Sequence, residues 1–368
     1  MYRVLVLGGY GNFGTRISKT LAVVPNIQIL IAGRNLDKAN KLIAQLNDGR
    51  HVALILDQDS DQFTKELGDL DIDCLIHTSG PYQGLSYTVA EACVNTNTHY
   101  IDLSDGREFV AGFTRLNKIA KEKNVLLVTG ASTLPGLSSA VIKKFREEFT
   151  SIESIRMCIS PGNKAPGGES TIAAVLSYCG KPIKTLIDGK WQALYGWQDL
   201  HFHIFPRLGK RLLGACDVPG PDILPKMYPA VKTVVFHAAL ETILSQLAFW
   251  LMAVLSRSGL VNDPSKYAGV ITRLSKLVDF MGTSDGGMFI KLSGRDNEDC
   301  FKELSWYLTA LNAHGPEIPS MPAIILAKKL ADNEIAVRGA MPCIELVTLA
   351  EFDEEFKLYD ISWEVVRH

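Results

Sequence analysis

The chain has 368 residues, 47% of them hydrophobic, and a formal net charge of -2 at pH 7. That length suits two domains, each with its own core, and the near-balance of charge lacks the basic excess that a phosphate backbone would require, which argues against a nucleic-acid partner. The seven cysteines (Cys74, Cys93, Cys158, Cys179, Cys216, Cys300 and Cys343) stand singly with no C-x-x-C pair, so neither a zinc site nor a disulfide framework is expected, and reduced thiols in a cytoplasm are the natural reading.

Residues 2–7 read as a buried strand with no cleavage site behind a charged region, so no secretory leader is expected. Apolar runs at 4–7, 27–31, 52–56, 74–76, 100–103 and 125–128 alternate with helical periodicity near 12–23, 36–46, 61–67, 84–95 and 108–122. Short, continuously apolar strands separated by helices predict an α/β fold: a doubly wound parallel Rossmann sheet over residues 1–134. Past Pro135 the rhythm changes. A helix is expected over 137–149 and a strand over 152–159, followed by the Gly/Pro-rich loop SPGNKAPGG at 160–168. Residues 180–229 show little periodicity and read as loops that line or cover something.

The stretch TILSQLAFWLMAVLS, residues 242–256, carries no charge over 15 residues, short of the roughly 20 that a spanning helix needs. It reads as a core or dimer-forming helix, with peripheral membrane contact as the alternative. Residues 286–311 then predict an antiparallel hairpin around a polar turn at 294–299, and IPSMPAIILAKKLADN a helix opened by proline and closed near Asn333. A second, mixed α+β domain over 135–335 follows, and the apolar helix and hairpin suit a homodimer.

Four of the seven residues from Gly8 to Gly14 are glycine. Gly9, Gly11 and Gly14 satisfy G-x-G-x-x-G directly after a strand and before a helix, where the first permits a tight turn, the second admits a pyrophosphate and the third lets helix and strand pack. Asn12, Phe13 and Gly14 then present helix N-terminal N–H groups to the phosphates. At the end of the second strand an NAD binder usually places an acid for the ribose hydroxyls. This chain has Gly33, Arg34 and Asn35, and a guanidinium offers fork-shaped donors to a 2′-phosphate that an acid would repel. NADP(H) is the expected cofactor. Asp57, ending the third strand, is open to two roles, accepting from the adenine amine or capping the next helix. HTSGPYQG, residues 77–84, follows the fourth strand and passes the nicotinamide ribose, where Gly80 and Pro81 shape the turn and Ser79, Tyr82 and Gln83 are contact candidates.

Hydride transfer needs a proton donor or acceptor on a loop at the carboxyl edge of the sheet. His77 and Tyr82 meet that positional test as candidate catalytic residues, with core histidine and packed tyrosine as the competing readings. Asp102, Asp105 and Arg107 follow strand five and Ser132 to Gly136 follow strand six. In YGWQDLHFHIFPR, Tyr195, Trp197, His201, His203 and Arg207 suggest an aromatic pocket lining for a small-molecule substrate. His201 and His203 lie i, i+2, and with no further ligand in sequence no metal is expected.

Together VLVLGGYGNFG, AGRN, SGPYQG, EACVNTNTHYIDLSD and GASTLPGLSSAV resemble the NADP-binding domain of saccharopine dehydrogenase-like oxidoreductases. TSDGGM, HGPEIPSMPAIILAKKL and RGAMPC are similar to the C-terminal part of bacterial members. The resemblance implies a Rossmann domain plus a mixed α/β domain for substrate and dimer contacts, with residues 336–368 returning to the first domain. It also implies hydride transfer to or from a carbonyl or imine. Members often have Asn at the position of His77. Two other readings stand beside it. Gly8, Gly11 and Gly14 also fit the G-x-x-G-x-x-G turn of extended short-chain dehydrogenases, whose Tyr-x-x-x-Lys pair occurs here only at Tyr228 and Lys232. A non-catalytic NADP(H)-binding redox sensor or membrane-surface protein is the other.

Overall fold

A computed structural model describes residues 1–165 and 168–368. The chain divides into two compact units, residues 1–137 with 317–347 and residues 138–316 with 348–368. The sequence predicts boundaries after residues 134 and 335. The difference arises because the helix Met321–Ala331 and the strand Gly339–Pro342 both build the first unit.

The first unit is an α/β sheet of the expected doubly wound type. Its strands β1 (Tyr2–Leu7), β2 (Ile27–Gly33), β3 (Val52–Ile55), β4 (Cys74–His77), β5 (His99–Asp102) and β6 (Leu126–Thr129) are joined by the distant strand Gly339–Pro342. All pair in parallel, and from one edge the order is Gly339–Pro342, β6, β5, β4, β1, β2, β3. The order reverses between β1 and β4, the position at which open α/β sheets bind ligands beyond the carboxyl ends of their strands. Burial explains the apolar runs: Val4, Leu5 and Val6 have no exposed surface, as expected of a sheet covered on both faces. Helix α1 (Asn12–Ala22) buries Ile17 and Leu21, one turn apart, and stops ahead of Pro25. Helix α2 (Leu36–Leu46) is opened by Asn35, whose side chain accepts from the N–H of Lys38 at 2.9 Å, and closed by Asn47 in the left-handed region.

The second unit holds a mixed sheet of nine strands among the described residues. Its path runs His201–Phe205, Gly209–Ala215, Thr233–Ala238, Ser151–Ser160, Gly286–Arg295, Phe301–Ala310, Ile361–Arg367, and the ribbon Pro182–Ile187 with Lys190–Tyr195 attaches to Thr233–Ala238. The expected hairpin is present, with Gly286 opposite Ala310 and Arg295 opposite Phe301. Residues 180–229, read from sequence as loops, form four strands and the helix Gly220–Met227 instead. Several of these strands are exposed edge elements, so their side chains do not follow the alternation that marks a half-buried strand. The loop expected at 160–168 includes residues 166 and 167, which lie outside the described residues.

The uncharged stretch forms the helix Ile243–Arg257, capped by Thr242. It is not a core helix. Gln246 and Ala253 are buried, whereas Ile243, Leu244, Leu247, Trp250 and Leu251 are exposed. Among the described residues no helix is long and apolar enough to cross a membrane.

Candidate functional site

In the first unit the chain leaves β1 through the glycine turn. Gly8 has φ of +80°, and a Cβ there would lie 2.5 Å from Ser79 Oγ, so only glycine fits both its conformation and its neighbour. A Cβ on Gly14 would collide with the Gly8 carbonyl oxygen and lie 2.7 Å from Gly9 Cα, which makes this glycine the contact between helix and turn. Gly9 is as constrained, with Val6 O 2.8 Å from its added Cβ, but Gly11 would meet only Gly8 O, at 3.1 Å, on its inner side. Gly11 heads α1 without a side-chain cap, and the first turn carries no acid. The N–H groups of Asn12, Phe13 and Gly14 have no partner among the described residues. Uncapped donors at the positive end of a helix dipole, free of a competing carboxylate, suit a phosphate. The cradle therefore fits the dinucleotide that the glycine spacing calls for. The Asn12 side chain accepts from Arg16 Nη1 at 2.6 Å, and Arg16 Nε reaches Glu317 at 2.9 Å.

Gly33, Arg34 and Asn35 lie at the carboxyl end of β2. Arg34 is exposed, and no acid stands beside it in the chain. Tyr10, an unspecified position of the glycine motif, covers Gly33: a Cβ there would fall 2.5 Å from the tyrosine oxygen. The same hydroxyl accepts the N–H of Asn35 at 3.0 Å. The available signal was a large aromatic between two glycines, matched by a glycine ending the neighbouring strand. Asp57 lies past β3, where its carboxylate accepts the N–H of Asp59 at 3.2 Å and its carbonyl that of Ser60 at 3.1 Å. It shapes that turn.

After β4 the expected residues turn inward. His77 is 3% exposed and Tyr82 5%. His77 Nε2 lies 2.9 Å from Gln58 Oε1 and Nδ1 3.1 Å from the Tyr100 hydroxyl. Burial drives its pKa down to about 4, so the ring is neutral at pH 7. The Tyr82 hydroxyl donates to the His77 carbonyl at 2.6 Å, and burial pushes its pKa upward. Tyr82 sits in an aromatic cluster with Phe109, Tyr87, Tyr100 and Phe113. Both candidate catalytic side chains thus spend their hydrogen-bonding hydrogens inside the unit, the arrangement of the packing reading. Ser79 faces Gly8 across the turn, Gly80 and Pro81 follow it, and Gln83 donates to Asp105 at 3.2 Å. Thr78 fastens β4 to β1 through its hydroxyl on Leu7 O at 2.8 Å.

Asp102, directly opposite His77 in the parallel register, is the titratable group that stands out. Its Oδ1 accepts from Ser104 N, the Thr129 hydroxyl and Gly130 N, each at 2.9 Å, and so ties the ends of β5 and β6 together. Among the described residues Oδ2 has no geometrically satisfactory hydrogen-bond partner. Burial raises the carboxyl to about 6, against the pull of those three donors and of the nearby Tyr100 hydroxyl.

The aromatic candidates of the second unit do not converge on one pocket. Trp197 is buried against Phe249, Tyr195 lies under Arg257, and Arg207 reaches Ser362 at 3.2 Å. His203 packs on Phe289 with ring centroids 4.2 Å apart and the rings tilted by 31°. Tyr228 and Lys232 lie at and beyond the end of the helix Gly220–Met227, so no single helix presents them as a Tyr-x-x-x-Lys pair.

Residues 4–130 match the family described as Saccharopine dehydrogenase NADP binding domain. No curated protein matches the sequence. Among solved structures, the chain is similar in fold to saccharopine dehydrogenase (L-Glu forming) of Saccharomyces cerevisiae, with a TM-score of 0.70, 14% identity and all of both chains covered. A probable dehydrogenase from Thermotoga maritima aligns over 99% of this chain and 98% of its own at 9% identity and a TM-score of 0.47. The WlbA dehydrogenase of Thermus thermophilus, solved with NAD and alpha-ketoglutarate, aligns over 65% and 73% at 12% identity and a TM-score of 0.35. The last two likenesses are too slight to carry weight. A nicotinamide dinucleotide is the coenzyme class that the family match and the glycine turn support together.

Proposed function

We propose that this chain, whose residues 4–130 match the saccharopine dehydrogenase NADP binding domain, is an NADP(H)-dependent oxidoreductase acting on a small carbonyl or imine. The observation that carries this reading is the glycine turn opening onto the unpartnered N–H groups of α1, with Arg34 where an acid would repel a 2′-phosphate. When bound, the coenzyme supplies or accepts the hydride. The chain's part is to hold the pyrophosphate at Gly11, Asn12, Phe13 and Gly14 and the extra phosphate at Arg34. Gly33, Asn35, Asp57, Ser79, Gly80 and Pro81 form the turns around that coenzyme.

The test is calorimetric titration with NADPH and NADH, followed by NADPH consumption with aldehyde-plus-amine pairs, ketones and enoyl compounds. Tighter binding of NADPH together with turnover on one class supports the proposal. Absence of binding by either coenzyme ends it.

A second reading, a non-catalytic NADP(H) sensor, is favoured by one observation: the hydrogen-bonding hydrogens of His77 and Tyr82 are committed to partners within the chain. NADPH binding without turnover on any class would select it. The proposal includes a homodimer, which sedimentation of the purified chain tests.

A further inference from the structure

We propose that Asp199, His201 and His237 form a site for one first-row divalent metal ion of the zinc type, carried entirely by the second unit. In sequence His201 had only His203 for company. The fold separates that pair, placing His203 against Phe289 with its Nε2 3.2 Å from the Tyr307 hydroxyl. His201 instead meets His237 edge to face, ring centroids 4.6 Å apart.

Sheet pairing creates the meeting. Strand Gly209–Ala215 lies between His201–Phe205 and Thr233–Ala238, with His201 opposite Leu213 and Ala215 opposite His237. On its other side Ala215 exchanges backbone bonds with Trp197 and Gln198, at 2.7 Å each, and so delivers the next residue, Asp199, to the histidines. One ligand atom from each of the three lies within 4.8 Å of the others.

The chemistry of each ligand suits a cation. Asp199 Oδ2 stands 3.1 Å from His237 Nε2. Nitrogen and oxygen ligands about 2.0 to 2.2 Å from a tetrahedral ion stand roughly 3.3 Å from each other, so this edge is close to coordinating length. An ion there takes the place of the hydrogen that Nε2 shares with the carboxylate and releases it as a proton. His201 Nδ1 lies 3.1 Å from the Asp199 carbonyl, which can only accept, so Nδ1 carries the hydrogen. That leaves Nε2 with its lone pair and no partner among the described residues. A ligating histidine is characteristically held by such a bond from its other nitrogen to a carbonyl.

His237 is buried while Asp199 and His201 are exposed, giving a fixed anchor with an open mouth where solvent completes the coordination. Two imidazoles and one carboxylate favour zinc and its neighbours over magnesium or calcium. The charge of Arg156, on the adjacent strand, opposes an ion, and its exposure to solvent weakens that opposition.

The experiment uses the full chain without a histidine tag, stripped with a chelator, then titrated with Zn²⁺ by calorimetry and with Co²⁺ by visible absorption. One equivalent of Zn²⁺ is expected, with a dissociation constant of about 10 μM or tighter. His201→Ala and Asp199→Asn should each weaken it at least about tenfold. His314→Ala, a histidine outside the cluster, should leave it unchanged. Both test positions are exposed, and circular dichroism checks that each variant folds; should one fail, the other decides. No stoichiometric uptake at about 100 μM Zn²⁺, or uptake that survives both substitutions, overturns the proposal.

Discussion

The hydroxyl of Tyr10 accepts the backbone N–H of Asn35 at 3.0 Å while its ring lies over Gly33, so the glycine turn and the end of β2 brace each other beside Arg34. Tyr10→Phe removes this bond and keeps the ring. It should cost about 1 kcal/mol in urea unfolding and weaken NADPH binding by about two- to fivefold. An unchanged midpoint would mean that the bond contributes nothing to the brace.

Arg34→Ala tests the coenzyme preference. Loss of a charge-assisted contact to the 2′-phosphate should weaken NADPH by about 10- to 100-fold and NADH by less than about threefold, measured by calorimetry. Equal loss for both coenzymes would contradict the NADP(H) assignment.

The glycines should divide by what surrounds them. Gly14→Ala places a methyl group against the Gly8 carbonyl and should destabilise the fold by about 2 kcal/mol or more. Gly11→Val, on the open side of the turn, should leave the melting temperature within a few degrees and block coenzyme binding. Thermal melts with and without NADPH separate the two.

Tyr82→Phe deletes the hydroxyl that donates to the His77 carbonyl. Loss of a buried bond predicts about 1 to 2 kcal/mol of destabilisation with NADPH affinity unchanged. Unaltered stability combined with lost turnover would instead make Tyr82 a catalytic residue.

Asp102 predicts a pH dependence of known sign. Its folded carboxyl titrates near 6, above the ordinary value of 3.8, so the folded chain holds this proton more tightly than the unfolded one. The resulting stability is fully present below about pH 4 and is lost as pH rises through about 6. Asp102→Asn is neutral throughout, so its stability relative to the native chain should improve between pH 5 and pH 7.5 by on the order of 1 kcal/mol, read by urea unfolding at each pH. A difference independent of pH would place the carboxyl at its ordinary value.

Much of the first unit was legible in the chain. The runs at Val4 and Leu75 are apolar without interruption, and that at Ile29 is broken only by Gln28, because their strands are covered on both faces, and the spacing of Gly9, Gly11 and Gly14 places the helix start. The strand Gly339–Pro342 was not legible, since four residues that include Gly and Pro carry no strand signature until β6 pairs with them. The ribbon at residues 182–195 carries one local sign, Asp188-Gly189, both with positive φ, a hairpin turn pair. Its outer strand is largely exposed and shows no alternation. His77 ends β4 and Tyr82 lies in the loop that follows it, positions that the sequence makes legible, but which way a side chain turns there depends on what packs against it.

The sequence by itself determined the local grammar of this protein: where strands give way to helices, which turn needs glycine, and the absence of an acid after the second strand. These follow from backbone geometry and short-range periodicity. Tertiary structure alone decided that His77 is neutral and enclosed, that burial raises the Asp102 carboxyl, and that Asp199 and His201 meet His237. Burial and pairing between strands distant in the chain set the electrostatics of a side chain, and neither is encoded in the residue's immediate neighbours.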